Sequence, residues 1–202
     1  MAPPPSPALQ GELDGLCGVY AVVNALQWVS HTGQAAANAF GQAKRLTKLE
    51  RQALFDELVT ALGERRPLAK FVTGGISSLE LTRLLHIGRE WVARHRNAVV
   101  VFRRPFYRQR RLTRPRVVTL LTEHLAAPGS AVIVAVAQPV AHWTVIRGIS
   151  KKRIRLQDSG YRVFLAVNGI NYRGARRPNG VKPGDIFLLQ LSPKAVVRAP
   201  RS

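Results

Sequence analysis

"AVIVAVAQPVAHWTVIRGISKKRIRLQDSG", residues 131–160, decides how this chain folds. Three short runs rich in β-branched residues, 131–136, 142–148 and 153–158, are separated by brief turn-forming pieces. Connections that short return a strand beside the one before it, so the runs pair antiparallel. Two more runs, "YRVFLAV" (161–167) and "DIFLLQL" (185–191), extend the same pattern into an antiparallel meander.

Upstream the period changes from two to 3.6. Val19, Val22, Val23, Leu26 and Val29 recur at helical spacing over 17–30. "LTKLERQALFDELVTALGE" (46–64) opens with a Thr47–Glu50 capping box and carries Leu49, Leu54, Leu58 and Leu62. "SSLELTRLLHIGREWVARH" (77–95) opens with a Ser77–Glu80 box, with Leu79, Leu81, Leu84, Leu85 and Trp91 as its apolar face. A strand at 98–102 and a helix at 114–129, with Pro115 near its start and Gly129 beyond its end, complete the pattern. Helices first and strands later predict an α+β fold in one domain, residues 10–192. A flexible proline-rich tail (1–9) and a basic tail (193–202) flank it.

The chain has 202 residues and a formal charge of +20, from 31 Lys and Arg against 11 Asp and Glu. Such a field draws nucleic acid, anionic lipid or an acidic protein. Its densest cluster, "RRPFYRQRRLTRPR" (103–116), offers Arg103, Arg104, Arg108, Arg110, Arg111, Arg114 and Arg116 as a patch for nucleic acid or an acidic partner, with Phe106 and Tyr107 placed to stack on bases. "KKRIR" (151–155) and "RGARR" (173–177) are smaller clusters. The apolar runs are too short to span a bilayer, and the N-terminus lacks the basic and apolar regions of a signal peptide. A soluble protein follows, cytoplasmic or secreted without a cleaved signal. One cysteine allows no intrachain disulfide and no cysteine-based zinc cage.

That cysteine, Cys17, lies in the first turn of its helix between Gly15 and Gly18. A helix N-terminus favours the thiolate, and small neighbours let a substrate backbone approach. Packing is the competing role, since free cysteine is commonly buried. A nucleophile needs a base, and the base an orienting acceptor. Of His31, His86, His95, His124 and His142, only His142 opens a strand, and one hairpin later Asp158 ends the next strand. The two can therefore stand side by side, although a strand-end histidine and a "DSG" turn-former would produce the same letters.

"GLCGVYAVVNAL" (15–26) resembles the nucleophile helix of papain-like cysteine proteases, and "AHWTVIRGISKKRIRLQDSG" (141–160) their histidine strand, hairpin and acidic residue. Within that superfamily the pattern is most similar to Josephin-type deubiquitinating domains and to bacteriocin-leader-processing peptidases. The resemblance implies a papain-like fold with the nucleophile helix packed on the C-terminal sheet. It makes Cys17 the nucleophile, His142 the base and then acid, and Asp158 the acceptor that orients it. The expected activity is hydrolysis of an amide bond, whether peptide, isopeptide or glutamine side chain, in a protein or peptide substrate, without metal or cofactor. The family's oxyanion-hole glutamine has no position at the family's spacing here; Gln10 is the candidate, and Glu12 stands closer to the cysteine. A basic nucleic-acid-binding protein, or a catalytically silent partner-binding one on the same scaffold, is the alternative.

Overall fold

The computed structural model describes residues 6–9, 15–34, 45–96, 98–109, 112–137, 141–160, 163–170 and 180–193. Four helices come first: α1 (Cys17–Gln34), α2 (Lys48–Gly63), α3 (Leu68–Gly74) and α4 (Ser78–His95). Strand β1 (Ala98–Arg103) and helix α5 (Arg114–Ala126) follow, then β2 (Ser130–Val136), β3 (His142–Ile149), β4 (Arg153–Gln157), β5 (Phe164–Ala166) and β6 (Val181–Pro193). The fold is α+β, with helices packed on a six-stranded antiparallel sheet of order β1-β6-β2-β3-β4-β5. No described helix is long and apolar enough to cross a membrane.

Only part of the sheet is the expected meander. β2 to β5 follow one another, but β6 returns past all of them to pair with both β2 and β1. The cause is visible in "IFLL" (186–189), four consecutive apolar residues rather than an alternation. Ile186 and Leu188 enter the core under α5, while Phe187 and Leu189 enter the core under α1. A strand buried on both faces has to lie inside the sheet, not at its edge. β2 behaves alike: Ile133 and Ala135 face the α1 side, and Val132 and Val134 the α5 side.

Both capping boxes form, with Glu50 N–H on Thr47 Oγ1 (3.2 Å) and Glu80 N–H on Ser77 Oγ (3.3 Å). The apolar faces are narrower than the letters suggest. Leu54, Leu58 and Leu62 form the buried line of α2, whereas Leu49 lies well off that line and is 82% exposed. Leu79 likewise points away from the buried face of α4. Helix α3, with Phe71 buried, was not expected; at seven residues it is too short to show a period. The N-terminal segment is tied down at Ala8, whose N–H and C=O both bond the buried Asn24 amide, at 2.7 and 3.3 Å.

The start of α1 is held very close to the α3–α4 region. Gly15 N–H donates to Val72 O at 2.9 Å, and a Cβ on Gly15 would stand 2.3 Å from both Phe71 O and Val72 O. Those are backbone atoms of a helix, which cannot step aside. Gly15→Ala is therefore expected to cost about 3 kcal/mol in urea unfolding, as an overpacked site does. Gly184→Ala, where a Cβ would meet nothing within 4 Å, is expected to stay close to wild type.

Candidate functional site

Cys17, His142 and Asp158 come from three separate elements and meet. Cys17 is the first residue of α1, 6% exposed, and the first turn of that helix carries no acidic side chain to compete with a thiolate. His142 opens β3 and Asp158 follows the last residue of β4, which pairs with β3. The imidazole Nε2 and Asp158 Oδ1 are 2.8 Å apart. The Cys17 thiol is near enough to the ring to help raise its pKa, while Sγ itself lies 3.9 Å from Gly15 O. Because the carboxylate takes Nε2, Nδ1 is the nitrogen left for sulfur.

The carboxylate has two tasks. Oδ1 holds the imidazole, and Oδ2 accepts the Gly160 N–H at 3.1 Å, closing the turn after β4. The turn-former and the orienting acceptor are thus one residue in two roles. Gly160 was not singled out from the sequence, yet a Cβ there would sit 3.3 Å from Asp158 Oδ2 and 3.7 Å from His142 Cε1. Its signal was the third letter of "DSG".

Trp143, the residue after His142, packs in the core under α1. It is 5% exposed, its ring meets Phe187 edge-on at 6.0 Å, and its indole N–H donates to Ile76 O at 2.6 Å. Ile76 in turn packs on Gly18, where a Cβ would stand 2.9 Å from Ile76 Cγ2. The α3–α4 connection is therefore clamped between the helix that carries the thiol and the strand that carries the imidazole. Sequence reading missed Ile76, since one isoleucine in a loop bears no mark. Directly before His142, Ala141 adopts φ 44, a left-handed conformation that costs an L-residue on the order of 1–2 kcal/mol.

The remaining histidines have other partners. His124 Nε2 lies 2.9 Å from Leu189 O and 3.2 Å from Ala131 O, and His95 stacks on Trp91 with Nδ1 2.8 Å from Trp91 O. Gln10, Glu12, Arg110 and Arg111 lie outside the described residues. Among the described residues no group of three or more His, Cys, Asp or Glu side chains gathers as a metal site.

The arginine cluster is less open than its letters imply. Phe106 is 3% exposed and packs in the core under α5, so it is unavailable to a base. Arg104 binds Asp185 Oδ1 at 3.0 Å and Gly184 O at 2.6 Å. Tyr107 is half exposed, but Arg104 and Arg108 lie over its ring, 4.3 and 5.1 Å from the centroid. Arg103, Arg108 and Arg116 remain on the surface, and Arg114 is half-buried. Apolar burial under a short helix, with an internal ion pair, has consumed part of the expected patch.

Comparison of the chain with protein-family models, curated proteins and solved structures finds no match.

Burial alone would pull the His142 pKa down, but the hydrogen bonds to Asp158 and Cys17, with the charges of both, outweigh it and raise it from 6.5 to about 9. The stability this adds is fully present below 6.5, the unfolded value, and is lost as pH rises through about 9. Wild-type stability should therefore decline across that interval. In Asp158→Asn the decline should flatten, and the His142 proton resonances in an NMR titration should show a lower pKa. An unchanged titration midpoint in that variant would refute the pairing.

Proposed function

We propose that this protein is a papain-like cysteine hydrolase that cleaves an amide bond. The single observation that supports this most is the convergence, from a helix start and two strand ends, of a thiol, an imidazole and a buried carboxylate in the order a thiol hydrolase needs. A packing cysteine has no use for a histidine held in one orientation by a carboxylate that is 1% exposed.

In this reading the imidazole takes the thiol proton, and the raised basicity of His142 stabilises the imidazolium–thiolate pair. Cys17 Sγ attacks the carbonyl carbon of the substrate, and the oxygen develops negative charge beside the backbone N–H of Cys17 at the start of α1. As the C–N bond breaks, His142 gives its proton to the departing amine, leaving a thioester on Cys17. Water, deprotonated by His142, then attacks the thioester and releases the acid. Asp158 keeps its charge throughout and holds the ring, with Nε2 bound and Nδ1 turned to sulfur.

The test is a pH series of Cys17 alkylation by iodoacetamide, read by mass spectrometry, followed by hydrolysis of a peptide library. Alkylation should be fast near neutral pH and fall in both His142→Ala and Asp158→Ala. Hydrolysis should vanish in Cys17→Ala, drop by about a thousandfold in His142→Ala, and decline in wild type above about pH 9, where the imidazolium loses its proton. Slow alkylation that neither variant alters would make Cys17 a packing residue.

A further inference from the structure

Among the described residues, one stretch of the sheet face has no helix packed over it. Helix α1 packs over β2, β3 and β6, and α4 over β1, on the same side of the sheet. On that side β4 and β5 continue past the edge of α1. Ile154, Leu156 and Leu165 turn to the opposite side, into the core under α5. By alternation Arg153 and Arg155 point to the uncovered side, as do their partners across the ladder, Ala166 and Phe164. Gly148 lies opposite Arg155, and a Cβ added there would meet nothing within 4 Å.

The surface is basic, partly apolar and locally unneutralised. Lys151, Lys152, Arg153 and Arg155 are exposed, Arg147 sits at the β3 bulge, and Phe164 is 48% exposed with Arg153 over its ring at 4.7 Å. Between Glu123 and Asp185 the sequence holds one carboxylate, Asp158. That carboxylate is buried and bound to His142. Among the described residues none of these five cations forms an ion pair. A face that concentrates cations and withholds every counter-charge fits an anionic partner.

Its position relates it to the thiol site. β4 runs from this face directly to Asp158, so Arg155 and Arg153 lie about 10 and 16 Å along the strand from the carboxylate that orients His142. In extended polypeptide those distances correspond to about three to five residues. Arg153 already occupies a face of the Phe164 ring, which is the surface a nucleic-acid base would need for stacking. Methyl-bearing side chains can still pack along the Phe164 edge and the exposed Val163.

Resting on the reading of Cys17 as an amide hydrolase, we infer that the substrate is an acidic polypeptide segment with interspersed apolar residues. Its carboxylates pair with Arg153 and Arg155 on the open β4–β5 face while the scissile bond lies at Cys17. The charge of the protein thereby acts as substrate selection as well as long-range attraction.

The experiment uses the full chain carrying Cys17→Ser, so that binding is read without turnover. Fluorescence anisotropy would compare a labelled peptide of glutamates interrupted by leucines with its glutamine analogue, and with a single-stranded oligonucleotide of equal charge. The acidic peptide should bind about tenfold more tightly than the analogue, and Arg153→Gln/Arg155→Gln should abolish that preference. Arg103→Gln/Arg116→Gln, the same charge removed elsewhere, should retain it. Equal loss in both double variants would overturn the assignment in favour of a general electrostatic field. No preference in the parent chain, or tighter binding of the oligonucleotide through Arg153 and Arg155, would overturn it as well. Because Cys17 alkylation in the wild-type chain is measured separately, failure of this surface and failure of the hydrolase reading give different results.

Discussion

The approach of the first turn of α1 to the α3–α4 region is the constraint on which the rest of the site depends. Gly15 is bonded to Val72 at 2.9 Å with no room for a β-carbon, and Gly18 lies against Ile76. Ile76 then receives the indole proton of Trp143, the neighbour of His142. Thiol and imidazole are thus registered to each other through one isoleucine whose backbone binds the strand and whose side chain binds the helix. Glycine at 15 and 18 is what makes this contact short. The placement of thiol and imidazole is set here by the packing of their apolar neighbours, as close-packed interiors permit.

Electrostatics reinforce the geometry. Asp158 is the lone carboxylate in a long basic stretch of sequence, and it is spent on orienting His142 and closing the turn to Gly160. Elsewhere several of the acids are tied up in structure. Asp185 gathers Ser78 and Arg104, Glu50 binds Arg96, and Glu57 pairs with Arg94. Internal pairing of this kind leaves the remaining cations to solvent and partners, mostly at surface positions where each pair contributes little to stability.

How much was legible in the letters depended on the length and one-sidedness of each signal. The two capping boxes and the period of α4 were readable because local hydrogen bonding and burial agree there. His142 and Asp158 could be paired from turn length alone, since an antiparallel hairpin returns its end to its start. The place of β6 was harder. Its four-residue apolar run announces two-sided burial, but which strands flank it is decided by packing far away in sequence. Phe106 misled for the opposite reason: flanked by arginines it looks exposed, yet Val117 and Leu121 of α5 share its core. Ile76 and the seven-residue α3 left no local trace.

The central position of β6 has a further meaning for how the molecule comes into being. Residues 181–193 supply side chains to the cores on both faces of the sheet, and they separate β1 from β2. While the ribosome is still making the segments before them, β1 has no strand to pair with, and neither face is filled. Assembly therefore waits on a late, long-range docking step, which is characteristically slow. The helix that carries the thiol packs on β2, β3 and β6, so its support is complete only when β6 slides into the gap.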